Sequence, residues 1–208
     1  MEYRLDLNNL HKILELVKNY NSKLLPVIKG RNKSDILQIY NQGFREFGEN
    51  RLDELSDHKI FLPEASFHFI APLQSRKINQ IMENCSSIHT VYRSKEIQAV
   101  NKSYNNQDIF VQINIDEDPN KSGIQISAVD EFFYNFKNLN FFPTGIMCIL
   151  SLKTDPKSSF SKMYKINEKL KKDFKLYKGE LSMGMSGDYK IALDYGATII
   201  RIGSKIFN

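Results

Sequence analysis

The chain has no tryptophan and only two cysteines in 208 residues. Cys85 and Cys148 sit singly in apolar stretches, with neither a C-x-x-C pair nor metal-ligand spacing. A disulfide-stapled scaffold and a zinc module are excluded on that ground, and reduced thiols are expected. Also missing is any apolar run approaching the roughly 18 residues that a membrane-crossing helix needs. The opening residues, Met1-Glu2-Tyr3-Arg4-Leu5-Asp6, lack the apolar centre of a secretion signal. The expected location is cytoplasmic. Linkers, low-complexity tracts and sequence repeats are absent too, so one domain over residues 1–208 is predicted.

What remains is an ordinary globular composition, 41% hydrophobic and 25% charged. The net charge is +5, which raises the question of nucleic acid. The densest lysines (Lys162, Lys165, Lys169, Lys171, Lys172 and Lys175) share a helical segment with the apolar positions Phe160, Met163, Tyr164, Leu170 and Phe174. That pattern is the wet face of an amphipathic helix, and without a reading element it predicts no nucleic-acid partner.

Along the chain, helical and strand patterns alternate. Leu10, Ile13, Leu14 and Val17 mark an opening helix. The apolar run Leu24 to Ile28 reads as a first strand that ends on Lys29-Gly30, and Ser34 is positioned to cap the next helix, closed by Gly43. Further strands are expected at Phe44–Phe47, Phe67–Ile70, Ser87–Tyr92, Asp108–Ile115, Thr144–Leu150, Glu180–Ser182 and Thr198–Ile202. Helices fall between them: one carrying Leu52 and Leu55, then Ser75–Met82, one capped by Ser94, one near residues 127 to 138, the lysine-rich segment, and Gly187–Leu193. Eight such units in 208 residues predict an α/β fold of the (β/α)8 TIM-type barrel, although such barrels commonly run to about 250 residues. An open doubly wound sheet is the competing architecture, but no glycine-rich dinucleotide turn follows the first strand. Lys29, Asn50, His68, Asn114, Met147, Ser186 and Arg201 all fall in or just past the C-terminal part of a strand. Barrel enzymes build their sites at that end.

Three of these positions, Lys29, Ser186 and Arg201, carry chemistry. An ammonium at the end of a buried strand costs several kcal/mol unless it reaches water or reacts as a neutral amine with a carbonyl. Far along the chain, Leu181-Ser182-Met183-Gly184-Met185-Ser186-Gly187-Asp188 joins a strand to a helix. Its glycines permit close backbone approach, and its N–H groups and the Ser186 hydroxyl suit a phosphate. The hydrolase motif G-x-S-x-G fails here because position 188 is aspartate. By alternation Arg201 shares a face with Ile199 and Gly203, and Gly203-Ser204 adds donors beside the first turn. Arg201 could equally pair with a carboxylate. A lysine, an arginine and two donor-rich turns describe a holder for a phosphorylated aldehyde, of which pyridoxal phosphate is the common cofactor.

At this point the chain resembles the pyridoxal phosphate homeostasis protein family, whose barrel is similar to the N-terminal domain of alanine racemase. The resemblance is carried by Ile39–Asn50 (IYNQGFREFGEN), His68–Lys77 (HFIAPLQSRK), Lys121-Ser122-Gly123-Ile124, Leu181–Asp188 (LSMGMSGD) and Ile200–Phe207 (IRIGSKIF), together with the Lys29 strand. It implies a vitamin B6-binding protein that buffers or delivers pyridoxal 5'-phosphate, held as a Schiff base on Lys29. Ser186, Gly187, Gly203 and Ser204 would bind the phosphate, Arg201 would face the pyridine nitrogen, and Asn50 would lie near the ring. The chain departs from the family pattern Ala-Val-Ser-Lys-Thr, having Pro26-Val27-Ile28-Lys29-Gly30. Ala71 stands where a glycine is usual, and the segment before the first strand is short.

A two-base racemase needs a second base, which the resemblance places on a tyrosine of a separate C-terminal domain in alanine racemase. No such domain is expected after Asn208. An arginine at the ring nitrogen also weakens the ring as an electron sink. The expectation is therefore a non-catalytic cofactor carrier, monomeric, with apo-enzymes that use pyridoxal phosphate as recipients. The alternatives are a weak amino-acid racemase and a cofactor-free Schiff-base aldolase. Lys121 could be a second amine in cofactor exchange or simply pair with Asp116 or Asp118. Asp116-x-Asp118-x-Asn120 opens like a calcium loop but has Lys121 where glycine is required, so no metal is expected. His68 is read as a satisfied core histidine, and Met147 and Cys148 as barrel filling.

Overall fold

A computed structural model describes residues 5–207. Among them eight parallel strands run β1 Lys23–Pro26, β2 Glu46–Glu49, β3 Ser66–Phe69, β4 Ser87–Val91, β5 Asp108–Gln112, β6 Gly145–Met147, β7 Glu180–Ser182 and β8 Ile199–Ile202. From β2 onward each strand pairs with the next in sequence, and β8 pairs with β1 in the register Leu25 opposite Arg201. The ring closes between β1 and β2 through the Val27–Gly48 bridge, where the Ile28 N–H donates to the Gly48 carbonyl at 3.0 Å. Outside lie α1 Leu7–Asn19, α2 Lys33–Asn41, α3 Leu52–Phe61, α4 Ile78–Asn84, α5 Ser94–Lys102, α6 Val129–Tyr134, α7 Pro156–Asp173 and α8 Tyr189–Asp194. The (β/α)8 barrel expected from the cadence is the fold. None of the described helices is long and apolar enough to cross a membrane.

Strand alternation sorts the side chains into two layers. Leu25, Phe110, Met147 and Ile199 fill the barrel, with Ile70 and Ile149 packed on them. Ile28, Ile109, Val111, Ile146, Ile200 and Ile202 join the larger core beneath the helices. Met147 thus fills the interior as expected, whereas Cys148 belongs to the outer layer. Both thiols are buried, and burial pushes each up to about 12; neither is a nucleophile at neutral pH.

Several boundaries differ from the sequence expectation, each for a local reason. The cap of α2 is Asn32, whose side chain accepts the Asp35 N–H at 2.9 Å, so Ser34 lies inside the helix. Ser94 is likewise the first residue of α5. The Glu96 carboxylate closes that end instead, accepting the N–H groups of Tyr92 and Arg93, each at 2.9 Å. The second strand starts at Glu46 rather than Phe44. The fifth ends at Gln112, because β6 offers only three partner residues and Ile113 bridges Ile124 instead. The helices expected at Ser75 and at residue 127 begin as short 3-10 turns, Ser75–Lys77 and Ile126–Ala128. On α7, Phe160, Met163 and Leu170 are buried, but Tyr164 is exposed.

Candidate functional site

The C-terminal ends of β1, β2, β7 and β8 converge on a cavity of about 570 Å³. Its wall includes Lys29, Asn50, Ser186, Gly187, Arg201, Gly203 and Ser204, the seven residues expected to hold the cofactor. Val27, Ile70, Ala71, Pro72, Ile149 and Met185 supply apolar surface, and Arg31 stands at the edge. His68, Asn114 and Met147 do not line it. Asn114 instead braces its own loop, exchanging side-chain hydrogen bonds with the Asp118 backbone.

Lys29 lies in the turn that follows β1, exposed rather than at the end of a buried strand. The ring-closing bond from Ile28 fixes the start of that turn. Gly30 completes it at φ +64°, with its N–H donating to Glu54 Oε2 at 2.8 Å. Val27 and Lys29 both face the cavity while Ile28 packs outward, as alternation requires. Asn50 is set by its neighbour. The buried Glu49 carboxylate accepts the N–H groups of Asn50 at 2.6 Å and Arg51 at 3.1 Å, and lies 3.4 Å from His58 Nδ1. Asn50 Oδ1 is buried at the cavity wall without a partner among the described residues.

Across the cavity two turns meet. No described residue accepts from the backbone N–H groups of Ser186, Gly187 or Ser204. Lys205 Nζ reaches the Ser186 carbonyl at 3.4 Å. One donor of the first turn is already used, since the Met185 N–H donates to Asp188 Oδ1 at 2.6 Å, and α8 begins only at Tyr189. The free amides, two serine hydroxyls and a nearby ammonium form a seat for a multiply charged oxyanion.

Arg201 lies deeper and is 3% exposed. Its guanidinium donates to Ser182 Oγ at 2.7 Å and to the Cys148 carbonyl at 2.8 Å, and forms no ion pair among the described residues. Burial holds its pKa below the usual arginine value, opposed by Cys148 and then by Asp188. A buried cation held by neutral acceptors can still donate to one more neutral acceptor in the cavity.

Sequence reasoning missed what lies behind Arg201. His89 Nδ1 is 2.8 Å from Ser182 Oγ, and His89 Nε2 is 3.0 Å from His68 Nδ1. The His89 ring stacks on Phe110 with centroids 4.3 Å apart. Burial lowers the His68 pKa to about 4 against the opposing charge of Glu46, and holds that of His89 well below the ordinary histidine value, so both rings are neutral at physiological pH. His68 is a core histidine, as read from the sequence. Lys121 is not on the cavity wall; it donates to the Ile149 carbonyl at 2.9 Å and lies 3.9 Å from Asp116.

Comparison with known proteins bears on the family and the fold. A family model described as "Alanine racemase, N-terminal domain" matches residues 7–208. The "Pyridoxal phosphate homeostasis protein" of Aquifex aeolicus is 30% identical over 196 residues, spanning 89% of this chain and 86% of that one. PipY of Synechococcus elongatus, solved without PLP, superposes with a TM-score of 0.86 at 25% identity, covering 97% of this chain and 99% of that one. The same protein with PLP bound gives a TM-score of 0.87 at 24% identity, with the same coverage.

Proposed function

This chain belongs to the pyridoxal phosphate homeostasis protein family, on an alanine racemase N-terminal barrel, and from that premise we propose that it binds pyridoxal 5'-phosphate and buffers or delivers it, as a cytoplasmic monomer, to apo-enzymes. The observation that carries the proposal is one cavity with an amine at one wall and an oxyanion seat at the other, bounded by a buried arginine. Ser186, Gly187, Gly203 and Ser204 hold the phosphate, Arg201 donates to the pyridine nitrogen, and Asn50 offers its unpartnered oxygen beside the ring. The Lys29 side chain on the opposite wall would supply the amine for the aldehyde of a bound cofactor, with water as the product released.

The same wall supports holding without turnover. Of the described residues that line the cavity, the titratable side chains are Lys29, Arg31 and Arg201. Arginine does not give up its proton in proteins, so once Lys29 is bound no wall residue can serve as a second base. A donor at the ring nitrogen keeps that nitrogen unprotonated, which weakens carbanion stabilisation. Lys29 is exposed, so an incoming amine can reach the covalent bond and release the cofactor by exchange.

The test is borohydride reduction of the cofactor-loaded protein followed by peptide mapping. The modified peptide should contain Lys29, and Lys29→Ala should lose covalent retention. A Lys29→Ala chain still fully and covalently loaded refutes the assignment. Exchange of the α-proton of L-alanine by the loaded protein favours a weak racemase instead, and Schiff-base chemistry that needs no added cofactor favours an aldolase.

A further inference from the structure

The barrel interior holds a polar chain that the cofactor site does not itself use. We propose that Ser182, His89 and His68 are positioning residues that orient Arg201 through a one-way line of hydrogen bonds, so that a guanidinium N–H is presented to the cavity. This rests on the pyridoxal phosphate reading above.

Direction in the line follows from Arg201, which has donors and no acceptor. Its bond to Ser182 Oγ, 2.7 Å, occupies a hydroxyl lone pair. Among the described residues only His89 Nδ1, 2.8 Å away, is placed to accept the Ser182 hydrogen. That nitrogen must accept, so in the neutral ring the proton sits on Nε2 and donates to His68 Nδ1 at 3.0 Å. His68 in turn carries its proton on Nε2, 3.9 Å from Glu46 Oε2 at the opposite mouth of the barrel. Glu46 lies 3.8 Å from Lys23 Nζ. Ser182 and His89 are fully buried and His68 is 8% exposed, so no water competes along most of the line. Reversing the two histidine links would leave the Ser182 hydrogen with no acceptor among the described residues and turn a bare His68 Nε2 toward the Glu46 carboxylate. The Cys148 carbonyl takes the other guanidinium arm. With two arms fixed by neutral acceptors, the group keeps its charge and its aim without a carboxylate to neutralise it.

Two measurements test this. In the cofactor-free, ¹⁵N-labelled protein at neutral pH, long-range ¹H–¹⁵N spectra should show His89 and His68 both neutral with the proton on Nε2. An Nδ1 proton or an imidazolium at either residue overturns the line. In the loaded protein, Ser182→Ala and His89→Leu should each weaken pyridoxal phosphate binding about tenfold, the loss of one charge-assisted hydrogen bond. Both should also shift the ring-¹⁵N resonance of labelled cofactor away from its hydrogen-bonded position, and His89→Gln, which keeps a donor and an acceptor, should restore it. A merely structural role would lower the melting temperature and leave that resonance in place. Should His89→Leu fail to fold, Ser182→Ala removes a single oxygen and decides the matter. If the wild type takes up no cofactor, the parent reading fails and the ring contact with it. If the wild type binds and the variants match it in affinity and resonance, only the positioning role fails.

Discussion

At the scale of single residues, two glycines show how little identity says without geometry. Gly30 replaces a threonine in the family pattern, which on the sequence looks like a lost hydroxyl near the cofactor. In the folded chain it sits at φ +64° with open space around its α-carbon. A β-branched residue is strained in that left-handed conformation, so here glycine matches the shape of the turn that carries Lys29. Gly145 is constrained by the opposite circumstance. A β-carbon there would lie 2.2 Å from the Glu180 carbonyl oxygen, between β6 and β7 where the backbone cannot yield without breaking the ladder. Gly145→Ala should therefore destabilise the protein by about 3 kcal/mol or more, the upper end of overpacking costs. Urea denaturation checks this, and a midpoint within error of wild type would show that the two strands can part cheaply.

At the scale of elements, the alternation of helix and strand was readable because eight apolar runs recur at an even cadence, and their existence does not depend on where each ends. Ends depend on partners. Ile113, Asn114 and Ile115 continue the strand pattern of β5, yet the ladder stops where β6 stops. Caps were ambiguous for a related reason. Asn32 and Ser34 are both competent, and only the bond from the Asp35 N–H to Asn32 Oδ1 separates them. Asn32→Ala should cost about 1 kcal/mol of stability, the usual loss of an N-cap, while Ser34→Ala should change it by less than about 0.5 kcal/mol. The pair of chemical-denaturation curves distinguishes them, and the reverse ordering would return the cap to Ser34. Lys29, Asn50, Ser186 and Arg201 were legible because strand ends collect at one mouth of a barrel, and Gly187, Gly203 and Ser204 because they sit in two donor-rich turns; the strand-end rule also drew in His68, Asn114 and Met147, which lie off the cavity. Ser182 and His89 were not legible, since within a strand a buried polar residue shows no sign of which buried neighbour it faces.

At the scale of the whole molecule, the interior line ties the two mouths of the barrel together and makes folding stability depend on pH. Both imidazoles are neutral when folded because burial strips them of water; Glu46 and Asp108 pull His68 the other way, Lys23 opposes protonation there, and Arg201 opposes it at His89. In the unfolded chain a histidine titrates near 6.5. As pH falls below that value the unfolded state takes up protons while the folded state does not, until His68 follows at about 4. The folded pKa is depressed, so the stability is fully present above about pH 6.5 and is lost as the solution is acidified, at about 1.4 kcal/mol per pH unit for each ring held neutral. Carboxylates add their own losses mainly below about pH 4, which leaves the interval between for the histidines. Urea midpoints of the cofactor-free protein measured across that interval should decline for wild type and decline less for His89→Gln, which retains polar contacts but cannot titrate. Parallel slopes in the two proteins would mean that His89 takes up its proton in the folded barrel as readily as in the unfolded chain, and that water reaches the interior.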